Sequence, residues 1–415
     1  MGKPESSKSS QMRTYDARKS RRPKRMTRRR RVVRLAAIVI GILLIPIAFS
    51  WGREMTRPSS LPISIHSIEW LRQNHMEWFV SGAEKYYYSW TAPDKGGPNL
   101  TSLPSVGGAA VEETAASTEQ KKKKKKKHAK APYYLPKRIQ PLIKPVLAGE
   151  GVWHTTGRNV GGKPSVLVTT FRPSTDYPRV VAYVAWINHM NTQLGLYPGL
   201  EEPPDGGDRG PMQVPSGQYN RLLAVFNSGF THKDGGGGFA VNGHTFEPFQ
   251  PDQATLVQNV NGNVNIVAWR GSAKPPAYVV LARQNLALLV DDGKVNPNVD
   301  DRLLWGATLG GAAQVWRSGI GVDAHGNLMY IAGPEMSIGM LGSALVHMGA
   351  VRAMELDINT FWPTFNYFTA PGAEGGTMLV PNPDQSTGRY ISQDSRDFFV
   401  VYSKSGDGIT TTPFK

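Results

Sequence analysis

The chain of 415 residues contains no cysteine at all. Disulfide staples, thiolate nucleophiles and cysteine-ligated metals are thereby excluded. Long apolar runs are almost as scarce, with one uncharged stretch, LAAIVIGILLIPIAFSW at residues 35–51, reaching the length of a bilayer crossing. Basic charge is missing where a nucleic-acid binder would need it. The formal net charge is +16, yet residues 151–415 carry 18 Lys and Arg against 21 Asp and Glu. The excess sits in two low-complexity segments, residues 1–34 with 14 basic and 2 acidic side chains and residues 121–130 with eight lysines. No zinc-finger or RNA-recognition signature accompanies them, so no nucleic-acid partner is expected. No internal repeat is present.

The apolar run 35–51 has 17 residues, about 26 Å as a helix, near the lower limit for a transmembrane span. The text before it, RRPKRMTRRRRVVR, is strongly basic. By the positive-inside rule this places residues 1–34 as a basic cytoplasmic tail, 35–51 as a single transmembrane helix in the cell membrane, and the C-terminal part outside. An uncleaved anchor is favoured over a cleaved signal, because no small-residue cleavage site follows the run. Pro46 is tolerable within it.

Residues 52–90 read as a juxtamembrane helical segment, with Ile65, Ile68, Leu71 and Phe79 at rough helical spacing and an aromatic face open to the domain, a partner or lipid. Residues 91–144 are rich in Pro, Gly, Ser and Thr and include KKKKKKKHAK, the composition of a disordered linker. Its lysines would attract anionic headgroups or phosphate-rich wall polymer, or serve as a solvated tether.

From residue 145 to 415 the texture becomes short apolar runs separated by Gly, Asn, Asp and Pro. SVLVTTF, VVAYVAWI, LLAVFN, NVNIVAW, AYVVLAR, LALLV and LMYIAG have strand length and β-branched content. SIGMLGSALVHMGAV begins at a Ser and repeats apolar residues every three or four positions, which predicts a helix. DFFVVY reads as a closing central strand. The whole predicts an α+β fold, a mixed or antiparallel sheet with a few helices, preceded by the single transmembrane helix.

Chemistry concentrates in AMELDINTFWP, residues 353–363. Glu355 and Asp357 alternate along a strand and so share a face, with Cα atoms about 6.5–7 Å apart. Two carboxylates so placed suit divided acid and base work or a shared divalent ion. Equally, one caps the following turn while the other pairs with a cation such as Arg352. The sequence identifies no cofactor and no metal-ligand set, and leaves a divalent cation open.

AVFNSGF (224–230), ARQNLALLVDDGKV (282–295), WRSGIGVDAHGNLMYIAG (316–333) and HMGAVRAMELD (347–357) follow one another in an order that resembles the phosphodiester glycosidase family. That family includes the enzyme that uncovers mannose 6-phosphate by removing N-acetylglucosamine from a phosphodiester, and bacterial exopolysaccharide-associated homologues. The resemblance covers residues 150–405. Asn227, Gly229 and Phe230 match its N-G-G-F pattern, with Ser228 in place of a glycine. Arg317 and Gly321 match R-x-x-x-G. Leu356 and Asp357 match L-D, while Ile358, Asn359 and Thr360 stand where glycines belong.

The resemblance implies a membrane-anchored, extracytoplasmic hydrolase that cleaves or remodels sugar-phosphodiester-containing envelope polysaccharide. Arg317 would hold phosphate as a guanidinium fork, or else lie in a strand-edge ion pair. Asp357 and Glu355 would be catalytic with it, and Asn227, Gly229, His232, Asn359 and Trp362 would line the substrate site. Trp362 suits sugar stacking. Glycines after a catalytic Asp allow positive φ and present backbone N–H groups to an anion; β-branched Ile358 and Thr360 resist this. Either Asn359 takes the left-handed conformation in a rebuilt loop, or the cradle is lost, and KDGGGGFAVNG (233–243) is a replacement nest or an ordinary hairpin loop. The alternatives to an enzyme are an inactive module of the same fold that holds an anionic cell-wall glycopolymer, and a partner scaffold.

Overall fold

The computed structural model describes residues 28–57, 62–91, 93–106, 133–204, 206–301, 304–306, 314–382 and 385–404. The poly-lysine run at 121–127 and most of the basic tail lie outside these. The chain divides into two units, one ending at Glu54 and one starting at Met55. In the first, helix α1 (Arg28–Met55) is long and apolar enough to cross a membrane, and it is longer at both ends than the 35–51 run.

In the second unit the expected juxtamembrane helix is two helices, α2 (Ile63–Gln73) and α3 (Glu77–Thr91). The break falls at His75, whose φ is 61°. Asn74 closes α2 by donating its side-chain amide to the Trp70 carbonyl at 2.8 Å. The expected linker differs at both ends. Leu100, Leu103 and Val106 pack on the main core, and Ile139 and Ile143 are buried. One fully buried ion pair secures the second stretch. Arg172 donates Nε and Nη2 to the two carboxylate oxygens of Glu150 at 2.9 and 2.8 Å, and Nη2 also reaches the Pro145 carbonyl at 2.9 Å.

Three antiparallel sheets make the body. An eight-stranded sheet runs His154–Thr155, Val166–Phe171, Ala182–Ile187, Leu328–Met336, Val315–Asp323, Ala350–Ile358, Leu288–Asp291 and Lys294–Val295 in spatial order. One five-stranded sheet orders Gly376–Met378, Phe365–Phe368, Leu222–Asn227, Phe398–Ser403 and Thr192–Tyr197; the other contains Val264–Ala268, Ala254–Asn259, Val279–Gln284, Phe239–Val241 and His244–Glu247. Every described pairing is antiparallel, and the few helices make this the expected α+β class.

The inward faces of the three sheets meet in one core that includes Val168, Phe226, Leu256, Ile320, Leu356 and Phe399. Val166–Phe171, Ala182–Ile187 and Leu222–Asn227 are buried along their whole length, which explains why they read as continuous apolar runs rather than alternating ones. The opposite face of the large sheet is covered by α5 (Ile338–His347), the fifth helix after the one-turn α4 (His232–Gly235). Ser337 caps α5 by accepting from the Met340 N–H at 3.1 Å. Leu341 and Leu345 are fully buried against Trp186, Met329 and Ala353, each contributing about 1.5–3 kcal/mol by removal from water.

One irregularity positions the site. Along the Val315–Asp323 and Ala350–Ile358 pairing, Gly319 faces Glu355 but Arg317 faces Ile358. Two steps on one strand oppose three on the other, a bulge that re-aims the side chains beyond it.

Candidate functional site

Because of that bulge, Glu355 and Asp357 enter different surroundings although their parity along the strand is the same. Glu355 is fully buried and its Oε1 accepts from Arg317 Nη1 at 2.5 Å. Arg317 also donates Nε to the Met336 carbonyl at 2.9 Å. Neither residue is in the lining of the 570 Å³ cavity that Asp357 reaches. Where Arg317 and Glu355 were expected to act on substrate, the structure places them in a buried strand-to-strand ion pair, with Arg317 Nε and Nη1 bonded to neighbouring strands and Glu355 Oε2 buried without a partner among the described residues.

Asp357 emerges past the bulge into a cavity of about 570 Å³. Its Oδ2 accepts from Arg396 Nη2, which also donates to the Gly229 carbonyl at 3.2 Å. Arg396 begins the run RDFFVVY just before the closing strand, and the backbone N–H of Arg396 is fixed by Asp394 Oδ1 at 3.0 Å. Its guanidinium lies 4.3 Å from the centre of the Trp362 ring, while Arg389 lies 5.2 Å from the same ring. Arg389 is itself tied to the Phe361 carbonyl at 2.7 Å and to Asp394 at 3.2 Å.

A second carboxylate, Glu202, lines the same cavity and accepts from the His232 N–H at 3.0 Å. Burial pushes Asp357 up to about 7, with Arg396 opposing the rise. Glu202 is raised for the same reason, again opposed by Arg396. Burial likewise lifts Glu355 to about 7 against the pull of Arg317. The opposite wall comes from α2, which supplies Glu69 and Arg72, paired with each other at 2.7 Å. Ile65 of α2 is completely buried against Trp362. Gln73 and Arg57 both bond Glu201, at 3.2 and 3.0 Å.

The remaining expected residues separate. Asn227 is saturated. Its amide donates to Ser318 Oγ at 3.0 Å and the Ser228 carbonyl at 2.9 Å, and its Oδ1 accepts from Tyr330 and the Thr364 N–H, both at 2.9 Å. A side-chain amide has two donors and two acceptor positions, so none is left for a ligand. Gly229 is required by packing, since a Cβ there would meet the Asn285 side chain at 2.7 Å. His232 starts α4 with its Nε2 3.5 Å from Glu247, beside the cavity-lining Thr231 and Asp234.

Asn359 lines the cavity with φ of 91°, the rebuilt left-handed loop. Its surroundings consume the backbone donors that a glycine loop would present. Ile358 N–H donates to Asp357 Oδ1 at 2.8 Å, Asn359 N–H to the Trp316 carbonyl at 2.9 Å, and Thr360 N–H to Asn359 Oδ1 at 2.7 Å. In the glycine run after His232 the Gly235 and Gly236 N–H groups bond the Thr231 and His232 carbonyls, and Gly238 N–H bonds Gln284 Oε1. Trp362 lines the cavity but is 3 % exposed. It braces Arg396 instead of forming an open stacking platform.

Arg396, Glu202, Glu69 and Arg72 were absent from the expected site. Arg396 sits in a segment legible as a strand, and Glu202 in GLEEPPDGGD, which reads as a loop. Among the described residues no group of three or more potential ligands is placed to hold a metal ion.

No family model matches the chain, and none of the curated proteins compared with it matches. Solved structures with a distant likeness include the catalytic domain of zebrafish N-acetylglucosamine-1-phosphodiester alpha-N-acetylglucosaminidase, auto-inhibited by its pro-peptide, at 14 % identity and TM-score 0.39, covering 58 % of this chain and 82 % of that one. A hypothetical protein from Synechocystis is similar at 12 % identity and TM-score 0.35, over 59 % of this chain and 63 % of its own. An exported protein from Burkholderia pseudomallei K96243 is similar at 12 % and 0.33, over 54 % and 74 %. At these values the likeness carries no argument about the site.

Proposed function

We propose that the chain is a membrane-anchored, extracytoplasmic hydrolase of sugar phosphodiesters in the cell envelope. The observation that carries this reading is the Asp357–Arg396 pair on the wall of a 570 Å³ cavity that also holds Glu202. The cavity walls bear five carboxylates, Glu69, Glu201, Glu202, Asp234 and Asp357, against the cations Arg72, Lys233 and Arg396. An anionic ligand therefore gains a grip chiefly when Asp357 takes a proton and releases Arg396. Since Asp357 titrates near 7, that exchange is available at neutral pH.

In this reading the phosphodiester oxygens replace the Asp357 carboxylate on the Arg396 fork. Glu202, raised by its burial, removes a proton from the attacking water. The bond from the anomeric carbon to the phosphate oxygen breaks through an oxocarbenium-like state, water supplies the hydroxyl at that carbon, and the Asp357 proton goes to the departing phosphate monoester. A phosphate is a fair leaving group, so positioning and charge carry more of the rate than acid strength. Helix α1, among the described residues the one long and apolar enough to cross a membrane, and the basic residues before it support the anchor and its orientation.

The consumption of the Ile358, Asn359 and Thr360 amides favours a second reading, an inactive module that binds an anionic cell-wall glycopolymer. Turnover of a chromogenic sugar phosphodiester by the detergent-solubilised full chain, beside Asp357→Asn, separates the two. The hydrolase releases chromophore and the variant loses at least a hundredfold. Retained binding without turnover in either protein assigns the module.

A further inference from the structure

Helix α3 has two faces of opposite character. Its inner face puts Val80 in the interior, 4 % exposed, and Ser81 on the cavity wall. Its outer face carries Trp78, Phe79, Gly82, Ala83, Tyr86 and Trp90, all exposed. At 3.6 residues per turn these six positions fall within an arc of about 140°. The four aromatic side chains are exposed by 72, 52, 74 and 84 %, and none of the six residues carries charge. Trp78 and Phe79 touch edge to face at 5.9 Å, so the stripe is continuous at its N-terminal end.

Scattered exposed apolar residues need no explanation, but a contiguous uncharged aromatic stripe does. We propose that this stripe is an interfacial anchor that lies in the headgroup layer of the bilayer. Three observations select lipid as the occupant. Trp and Tyr combine an apolar ring with a polar tip, which suits a surface apolar on one side and wet on the other. The stripe is narrow and lies along a single helix, the shape of a helix resting in the plane of the interface. It also begins 23 positions after Met55, the last residue of a helix long enough to cross a membrane, so the chain itself brings it close to lipid.

The consequence reaches the cavity. The same helix that would rest on lipid presents Ser81 to the cavity wall, and α2, connected to it by three residues, presents Glu69 and Arg72. The cavity is therefore held next to the headgroup layer, within reach of a substrate that is itself attached to lipid.

The absence of cysteine allows a direct test in the full chain reconstituted in phosphatidylcholine–phosphatidylglycerol liposomes. Trp78→Cys, Tyr86→Cys and Trp90→Cys are each labelled with an environment-sensitive fluorophore, with Tyr278→Cys, 61 % exposed on the sheet domain, as the aqueous reference. All four positions are exposed, and a far-ultraviolet spectrum equal to the parent's confirms folding. The expected result is quenching of the three α3 labels by a headgroup-region nitroxide lipid, with iodide quenching at least threefold weaker than at position 278. Iodide quenching equal to that at 278 overturns the proposal. Shielding from iodide without nitroxide quenching overturns it in favour of a protein partner, and energy transfer between labels on separate chains identifies that partner as a second copy.

Discussion

Arg396 and Asp357 meet across 39 positions of sequence, the guanidinium donating to the carboxylate while the Trp362 ring lies 4.3 Å beneath it. A second pair, Arg317 with Glu355, sits only two residues away along the same strand yet never reaches the cavity. The two pairs have the same chemistry and different tasks, which makes them separable by mutation.

Arg317→Met leaves the Glu355 carboxyl buried without its cation, and removal of one partner from a buried pair costs about 3–5 kcal/mol. A fall of this size in denaturant-measured stability is expected. Arg396→Lys keeps a cation at the cavity but loses the planar fork; it should lower sugar-phosphodiester turnover at least tenfold while the unfolding midpoint changes little. Equal stability losses in both variants would contradict the division of labour.

Stability should depend on pH in a particular direction. Asp357 and Glu355 both titrate near 7 in the folded chain, above their usual carboxylate values. Between about pH 4 and pH 7 the folded state thus binds more protons than the unfolded one, so stability falls as pH rises through that window. Thermal unfolding followed from pH 5 to pH 8 should show a declining midpoint, and Asp357→Asn should flatten part of the decline. A midpoint that climbs across the window would show that the ion pairs outweigh burial.

Asn227 offers a test of a different kind, because all its hydrogen-bonding positions are filled by protein. Asn227→Ala removes the acceptor of the Tyr330 hydroxyl and the Thr364 N–H, and an unpaired buried polar group costs about 1–3 kcal/mol. Calorimetry should show a lowered unfolding temperature, with ligand affinity per folded molecule unchanged.

Ile65 is the contact through which α2 closes over Trp362. Ile65→Ala removes buried methyl groups, a change of about 2–5 kcal/mol where the site cannot collapse. Because only α2 depends on it, amide exchange should accelerate in residues 63–73 and leave the sheet strands unaffected. Uniform acceleration would mean that α2 and the sheet unfold as one.

Much of the fold was legible because burial leaves a plain signature. LLAVFN is a strand over the very residues of its apolar run, and Ser337 caps α5 where the sequence placed a helix start. The site was less legible for identifiable reasons. Parity along a strand put Glu355 and Asp357 together, and a bulge, invisible in sequence, parted them. Arg396 lies in a strand-like run and acts through a contact 39 residues away. Residues 52–90 read as one helical segment because periodicity continues across the break, where His75 takes a positive φ. The α2 side chains reach the cavity through tertiary packing, which no local pattern encodes.

In the proposed hydrolase an anion takes Arg396 as Asp357 takes a proton. It is tested most directly by calorimetric titration of the full chain with a methyl diester of a sugar 1-phosphate, whose single charge does not titrate, at pH 7 in two buffers of different ionisation enthalpy. Binding with net proton uptake is expected, weakening as pH rises above 7, with loss of that uptake in Asp357→Asn. Binding with no proton uptake, or uptake that survives in Asp357→Asn, would contradict it.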